Sequence, residues 1–413
     1  MNKIKKLLTV FVLLINIMVF SDQDSIANAI EELDEIFALY QNNKGVDFRE
    51  AVDRVLKKNT PVGFEHISCQ SVELNLRGKL KEKSFGEWLN DVLSFLEIEK
   101  ELRRKNGQDV DFISKIGVGI ITKLDLSDNE LVDLPEELNQ LINLDELRID
   151  NNRLKCLDLP DLPYLKILDV SYNQLEWIDE RIQLSELEHL YLRCNPMLFI
   201  NNSRKDVFRL ISEKALRLQL IDLSENELDS INGLEYLLSS LTQVGLSENN
   251  LKYMIDVAKI IGDKELDALD LSGNKFKDYK GLGSLIGVAQ LCLNDCGIKS
   301  FYDLAGLEQL QQLITLSLDN NEISQFDGMP FLSNLFNLTL ECNEISSLKN
   351  MPELDQISNL NLKKNKLSTL HGLKSLPNIF DLDFSENNLT SKDEDFLKRN
   401  YPDLTFDNFV GKR

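Results

Sequence analysis

The sequence predicts an α/β solenoid: short parallel strands on a concave face, irregular or helical returns on a convex face, and a small mixed α+β domain ahead of them. Three observations predict it. Asn129, Asn152, Asn173, Asn195, Asn226, Asn249, Asn274, Asn321, Asn343, Asn365 and Asn387 each close one phrase, leucine-x-x-leucine-x-leucine-x-x-asparagine-x-leucine. Cys296 closes it once in place of asparagine, which makes twelve copies. Successive closures stand mostly 21 to 25 residues apart, a period of stacked repeats rather than of a closed globule.

Along the chain, the N-terminus comes first. Lys3, Lys5 and Lys6 precede the apolar run Leu7–Phe20, and Ser21 leads into a polar stretch. A basic start, a short apolar core and a small residue at the exit describe a secretory signal peptide over 1–21. This 14-residue run falls short of the roughly 20 residues that a membrane span needs. The mature protein is expected to be exported and to lack a stable membrane span.

Residues 22–118 carry no copy of the phrase and read as an accessory domain or cap. Ser25–Tyr40 and Asp47–Lys58 place apolar residues on one helical face. His66–Leu76 alternates like a strand pair, and Ser84 caps a third helix with Phe85, Trp88, Leu89, Val92, Leu93 and Leu96. This order loosely resembles the small secretin/TonB N-terminal modules of bacterial envelopes. Solenoids also require something to cover the apolar edge of their first repeat.

The repeats fill 119–395 and a C-terminal cap fills 396–413. In Leu124-Asp125-Leu126 the leucines face inward and the aspartate outward, a strand with one wet face. The asparagine falls where the strand turns into its return, so its amide can bond the backbone of adjacent turns. Left unpaired and buried it would cost about 1–3 kcal/mol. The ladder is therefore structural. One repeat is stretched: 31 residues separate Asn195 from Asn226. Within it, Asn202–Arg217 reads as a full convex helix with Val207, Leu210, Ile211 and Leu216 against the stack. Its outer face is basic, with Arg204, Lys205, Arg209, Lys214 and Arg217, and such faces are more often merely solvated.

Six cysteines in an exported chain suggest disulfides, but register opposes them. Cys194 and Cys342 occupy equivalent places in distant repeats. Cys292 and Cys296 lie about 13 Å apart along an extended chain, beyond the roughly 7 Å a disulfide spans. Five repeat cysteines, Cys156, Cys194, Cys292, Cys296 and Cys342, are expected as free thiols, which suits a reducing compartment.

No catalytic constellation emerges. His66, His189 and His371 lack metal-ligand spacing. Gly281-Leu-Gly283-Ser-Leu-Ile-Gly287 lacks the lysine and hydroxyl that end a phosphate-binding loop, and turn chemistry explains it. No enzyme activity and no cofactor are expected. The net charge of −22 and pI near 4.7 repel phosphate backbones, so nucleic acid is not an expected partner.

The working surface is expected on the wet strand positions. Most are small or acidic, but Arg148, Tyr172, His189, Tyr191 and Arg193 cluster in three neighbouring repeats. Tyrosine and arginine suit binding hot spots because they bury area and keep polar handles. These five residues are the candidate protein-binding site.

The phrase resembles that of the leucine-rich repeat family, over roughly Gly119 to Ser391. Returns such as Leu304-Ala-Gly-Leu307 and His371-Gly-Leu373 resemble short repeats of phosphatase regulatory subunits, and Phe396-Leu397 with Tyr401–Asp407 resembles their closing cap. Leu134-Pro135-Glu136-Glu137-Leu138 is similar to returns of bacterial and plant repeats. Cys156-Leu157-Asp158 resembles the cysteine–aspartate pair of bacterial effector ubiquitin ligases, whose ligase domain follows the repeats; no room for one is expected before Arg413. The resemblance, taken with the N-terminal segment, implies a non-enzymatic, exported bacterial protein that binds a protein partner through its concave face. Two alternatives stay open: a cytoplasmic regulatory scaffold, and a secreted effector acting in a host cell.

Overall fold

The computed structural model describes residues 72–80, 84–86, 89, 121–201 and 204–404. The expected signal segment 1–21, the expected helices at 25–40 and 47–58, and residues 405–413 lie outside the described residues. The chain forms two compact units. One comprises the chain to Asn173 together with Asp179–Leu187; the other comprises Gln174–Ile178 and the chain from Glu188.

In the first unit, strands β1 (Val72–Asn75), β2 (Ile121–Asp125), β3 (Glu146–Arg148) and β5 (Ile167–Asp169) pair in parallel, in that order. The two-residue strand β4 (Cys156–Leu157) lies between β3 and β5 in sequence. Register follows the leucines: Leu74 sits opposite Leu124, Leu124 opposite Leu147, and Leu147 opposite Leu168. Strand β1 falls inside the segment read as an accessory domain, yet it is a rung of the same sheet, one strand ahead of the first asparagine-closed phrase. Asn129 binds it there, donating from Nδ2 to Leu76 O at 2.9 Å. Phe85 and Leu89, at helical positions, are buried.

The second unit contains β6 (Trp177–Ile178), then nine parallel strands among the described residues. They are β7 (His189–Tyr191), β8 (Leu220–Asp222), β9 (Gln243–Gly245), β10 (Ala268–Asp270), β11 (Gln290–Cys292), β12 (Thr315–Ser317), β13 (Asn337–Thr339), β14 (Asn359–Asn361) and β15 (Asp381–Asp383). Each pairs with the next, so Leu190, Ile221, Val244, Leu269, Leu291, Leu316, Leu338, Leu360 and Leu382 form one buried row. Burying a leucine or isoleucine contributes about 1.5–3 kcal/mol, and no repeat could gather that alone. Helix α3 (Met254–Ile261) and several short 3₁₀ turns form returns. Helix α4 (Ser391–Asn400) closes the described chain, starting five residues ahead of the expected cap and burying Leu397.

The stretched repeat holds two helices, α1 (Pro196–Asn201) and α2 (Arg204–Lys214). Here the expected apolar set needs correction. Val207 and Ile211 are buried, but so is Phe208, while Leu210 is half-buried and Leu216 is 70% exposed. The helix ends at Lys214, so Leu216 is past its last turn, and Ala215 and Leu218 take the inward places. Phe208 packs on Phe199, with ring centroids 5.8 Å apart.

The asparagine ladder bonds neighbouring turns. Asn321 donates from Nδ2 to Leu293 O at 2.9 Å and Leu318 O at 3.0 Å. Its Oδ1 accepts from the N–H of Cys296 at 3.1 Å and of Ile298 at 3.0 Å. Cys296 cannot reproduce this. Its Sγ reaches Leu271 O at 3.5 Å and Asn294 O at 3.4 Å, and a sulfur rather than an amide oxygen faces the N–H of Asn274.

One regularity was not legible in the phrase. The residue just before each ladder position is left-handed in every copy, from Asp295 at φ 51° to Gly273 at φ 71°. Only one of these twelve is glycine; the others include Tyr172, Cys194, Glu248 and Lys364. The conformation costs an L-residue about 1–2 kcal/mol, and the bonds that each turn makes to its neighbours hold it in place. Asn320 N, for example, donates to Glu341 O at 2.8 Å, and Lys364 N to Ser385 O at 3.0 Å.

Candidate functional site

On the strand face, alternation leaves three residues per repeat beside the buried leucines. Several of the acidic ones have local duties. Asp125, Asp169, Asp222, Asp270 and Asp383 each accept at Oδ1 from the N–H of the serine two residues on, at 2.7–2.9 Å. The aspartate-x-serine pair is thus an end cap for the strand, bonding an N–H at the point where it turns. Those serines were expected to be wet, but Ser127, Ser171 and Ser224 are buried, as is Ser247 of the repeat between them. A hydroxymethyl is short, and neighbouring side chains close over it: Ser224 Oγ lies 2.5 Å from Asp222 Oδ1 and accepts from Ser247 Oγ at 2.9 Å.

From β10 to β13 the bonds run sideways instead. Asn294 N donates to Ser272 Oγ at 3.2 Å, Asp319 N to Asn294 Oδ1 at 2.7 Å, and Glu341 N to Asp319 Oδ1 at 2.6 Å. Burial raises the Asp319 carboxyl above its ordinary value, and likewise that of Asp169. Burial would also raise Glu341, but hydrogen bonds from Asn361 and Lys364 outweigh it and hold that carboxyl low.

The five candidate residues divide between the units. In the first, Arg148 projects from the end of β3 and is tied to Glu146, Nε to Oε1 at 2.7 Å, with Lys123 Nζ 2.9 Å from the other oxygen. Burial disfavours the Glu146 charge, yet these two cations overcome it and its carboxyl sits below the usual range. Tyr172 is not on a strand; it is the left-handed residue of its turn and is 42% exposed. In the second unit His189, Tyr191 and Arg193 are successive outward residues of β7 and its exit, all half-buried. Arg193 Nε donates to Glu225 Oε1 at 2.8 Å. Glu225 is the partner that sequence reasoning missed, since it stands 32 residues away and only the stack brings it there.

Cys194, Cys292, Cys296 and Cys342 form no disulfide. Burial pushes the Cys292 thiol up to about 11 and Cys296 to about 12, so neither is a thiolate nucleophile at neutral pH. The glycines of 281–287 pack as return turns. A Cβ on Gly306 would lie 2.7 Å from Gly283 N, and one on Gly287 2.6 Å from Lys264 O. Among the described residues no group of three or more His, Cys, Asp or Glu could hold a metal ion, and no helix is long and apolar enough to cross a membrane.

No family model matches the chain. Leucine-rich repeat-containing protein 23 of Bos taurus is 31% identical over 216 residues, covering 46% of this chain and 61% of its own. The chain is similar in sequence to leucine-rich repeat proteins. A protein phosphatase 1 regulatory inhibitor subunit homolog of Arabidopsis thaliana is 26% identical, over 47% of this chain and 55% of its own. The chain spans about three-fifths of the length of the first of these relatives. Among solved structures, an internalin from Listeria monocytogenes aligns with a TM-score of 0.45 and 21% identity, covering 66% of this chain and 76% of that one.

Proposed function

We propose that this leucine-rich repeat protein is a non-enzymatic binding module, exported from its cell, that engages a protein partner through its concave strand face. The observation that carries the reading is the outward row of β7. His189, Tyr191 and Arg193 present an imidazole, a phenol and a guanidinium from one strand, beside strands whose outward residues are mainly Asp and Ser. Large amphipathic side chains on a rigid scaffold are what interface hot spots use. Of the five candidates, this second-unit trio carries the proposal; Arg148 and Tyr172 belong to the first unit. Protein partners, and not nucleic acid, fit the acidic composition.

Replacing Tyr191 and Arg193 together by alanine should leave thermal unfolding within a few degrees of the parent, because both side chains lie outside the core. Partner capture should weaken by at least about 2 kcal/mol, the threshold of a hot spot. Unchanged capture removes this strand from the binding surface. Export is tested separately by the mass of the secreted chain, which should lack the first 21 residues or so.

A cytoplasmic regulatory scaffold is the second reading. The free thiols of Cys194, Cys292, Cys296 and Cys342 favour it, since cysteines persist reduced in the cytosol, and so does the similarity to a phosphatase regulatory subunit homolog. An intact Met1 on the cytosolic protein would select it.

A further inference from the structure

The return that follows β8 turns through Asn232 and Gly233, and Leu234 N closes the turn on Ile231 O at 3.0 Å. Gly233 is left-handed there, with φ 102° and ψ −19°, the third place of a type II turn, which favours glycine. Asn232 is exposed, and among the described residues nothing bonds its side-chain amide. The ladder asparagines on either side differ: Asn226 and Asn249 are buried, and their Nδ2 groups donate to Leu192 O and Leu223 O, each at 3.0 Å. Asparagine is a thermally labile side chain, and only a held amide is protected from its own backbone.

The backbone that follows Asn232 is set up to attack it. Gly233 N carries the N–H of the turn's central peptide, which no main-chain oxygen holds among the described residues. It donates instead to Glu235 Oε2 at 2.7 Å, so a carboxylate stands on the proton that this nitrogen must lose. Glycine has no Cβ to hinder the approach, and a ring closed within one residue pair gains the advantage of proximity. Two related turns lack one part each. Gly306 N donates to Glu308 Oε2 at 3.0 Å, but Ala305 precedes it and has no amide. Before Gly328 stands Asp327, whose Oδ1 accepts from Asn350 Nδ2 at 2.8 Å and is thereby held. Among the described residues only Asn232 joins a free amide to a following glycine.

We propose that Asn232 is a site of spontaneous covalent modification, deamidation through a cyclic imide, assisted by the Glu235 carboxylate. Gly233 N gives its proton to Glu235 and bonds to Cγ of Asn232. The Cγ–Nδ2 bond breaks, and Nδ2 takes that proton and leaves as ammonia. Water, the one co-reactant, then opens the ring. Opening at Cγ gives aspartate; opening at the backbone carbonyl gives isoaspartate, with the main chain running through Cβ. Nothing is oxidised or reduced, and the chain gains one carboxyl group. The turn packs against α2 and α3, so a main chain lengthened by one carbon would be felt by both helices.

The test is incubation of the folded full chain in heavy-oxygen water at neutral pH, then digestion in ordinary water and fragment mass spectrometry. Label marks only the asparagines that react during incubation. Trypsin releases Leu218–Lys252 as one peptide, which holds Asn226, Asn232 and Asn249 together, so the ladder serves as an internal control. Label should accumulate at Asn232, partly as isoaspartate, and not at Asn226 or Asn249. Glu235→Gln keeps an acceptor for the Gly233 N–H but not a base, and should slow labelling about tenfold, below the usual 10²–10⁴ of a fully positioned base. Glu308→Gln alters the matching cap at Gly306 and should change the rate at Asn232 less than about twofold. No label at Asn232, or equal label at the ladder positions, overturns the site. An unchanged rate in Glu235→Gln, or an equal slowing in Glu308→Gln, overturns the role of Glu235.

Discussion

Cys296 shows what a single residue of the ladder is worth. Asn274 and Asn321 on either side of it donate and accept through oriented amides, whereas the thiol makes two long sulfur contacts. Cys296→Asn should stabilise the protein by about 1–2 kcal/mol, the net value of the one or two hydrogen bonds it restores. Urea unfolding with an unchanged slope measures this; a lower midpoint would mean that the amide cannot fit beside the buried Tyr279, whose hydroxyl donates to Cys296 O at 3.0 Å. The ladder was legible in the sequence because it demands one chemistry, a small amide, at one spacing. The left-handed turn before it was not, because that position demands only a backbone angle. Asp128, Tyr172, Cys194 and Lys364 meet it alike and share nothing a reader could recognise. The aspartate-x-serine caps stood in plain view but read as solubility, since nothing in a sequence says that an acidic side chain is already bonded.

At the scale of elements, the strands followed their period closely and the stretched return did not. Alternation has two faces, so once Leu190 is inside, His189 and Tyr191 are outside. A helical face must instead be placed by angle, and Val207, Leu210, Ile211 and Leu216 formed one plausible stripe. The actual stripe is rotated toward Phe208, which is fully buried on Phe199. Phe208→Ala should therefore cost about 3–5 kcal/mol, while Leu216→Ala should stay within about 0.5 kcal/mol. Thermal unfolding of the two variants distinguishes the observed stripe from the expected one, and a reversed order would refute it. The candidate site was legible to the extent that Tyr191 and Arg193 stand out among small neighbours. The pairing of Arg193 with Glu225 depends on which repeats become neighbours, and that is not written in spacing.

For the whole molecule, charge sets the response to pH. At −22 the chain repels itself. Burial raises the Asp169 and Asp319 carboxyls, so folding binds protons more readily than the unfolded chain at those sites. A raised carboxyl is a cost when ionised, and that cost fades as pH falls through its folded value. Glu146 and Glu341 act oppositely: burial opposes their charge, but lysine and other partners hold them low. Their stabilisation is present above the ordinary carboxylate range and disappears only below it. The unfolding midpoint should therefore rise as pH is lowered from 7 toward about 5 and fall again in stronger acid. Added salt at pH 7 should raise it too, by screening exposed like charges. A midpoint that falls steadily from neutrality, with no gain from salt, would contradict this account.

The thiol rung at Cys296 has a mechanical side as well. Repeats stacked one on the next are joints in series, and a load applied along such a series is borne equally by every joint, so the weakest parts first. Asparagine amides clamp the turns at Asn321, Asn343 and Asn365 to those before them, while at Cys296 the clamp is a sulfur. Under tension the second unit would come apart there, leaving the turns on either side as intact segments able to close again on one another.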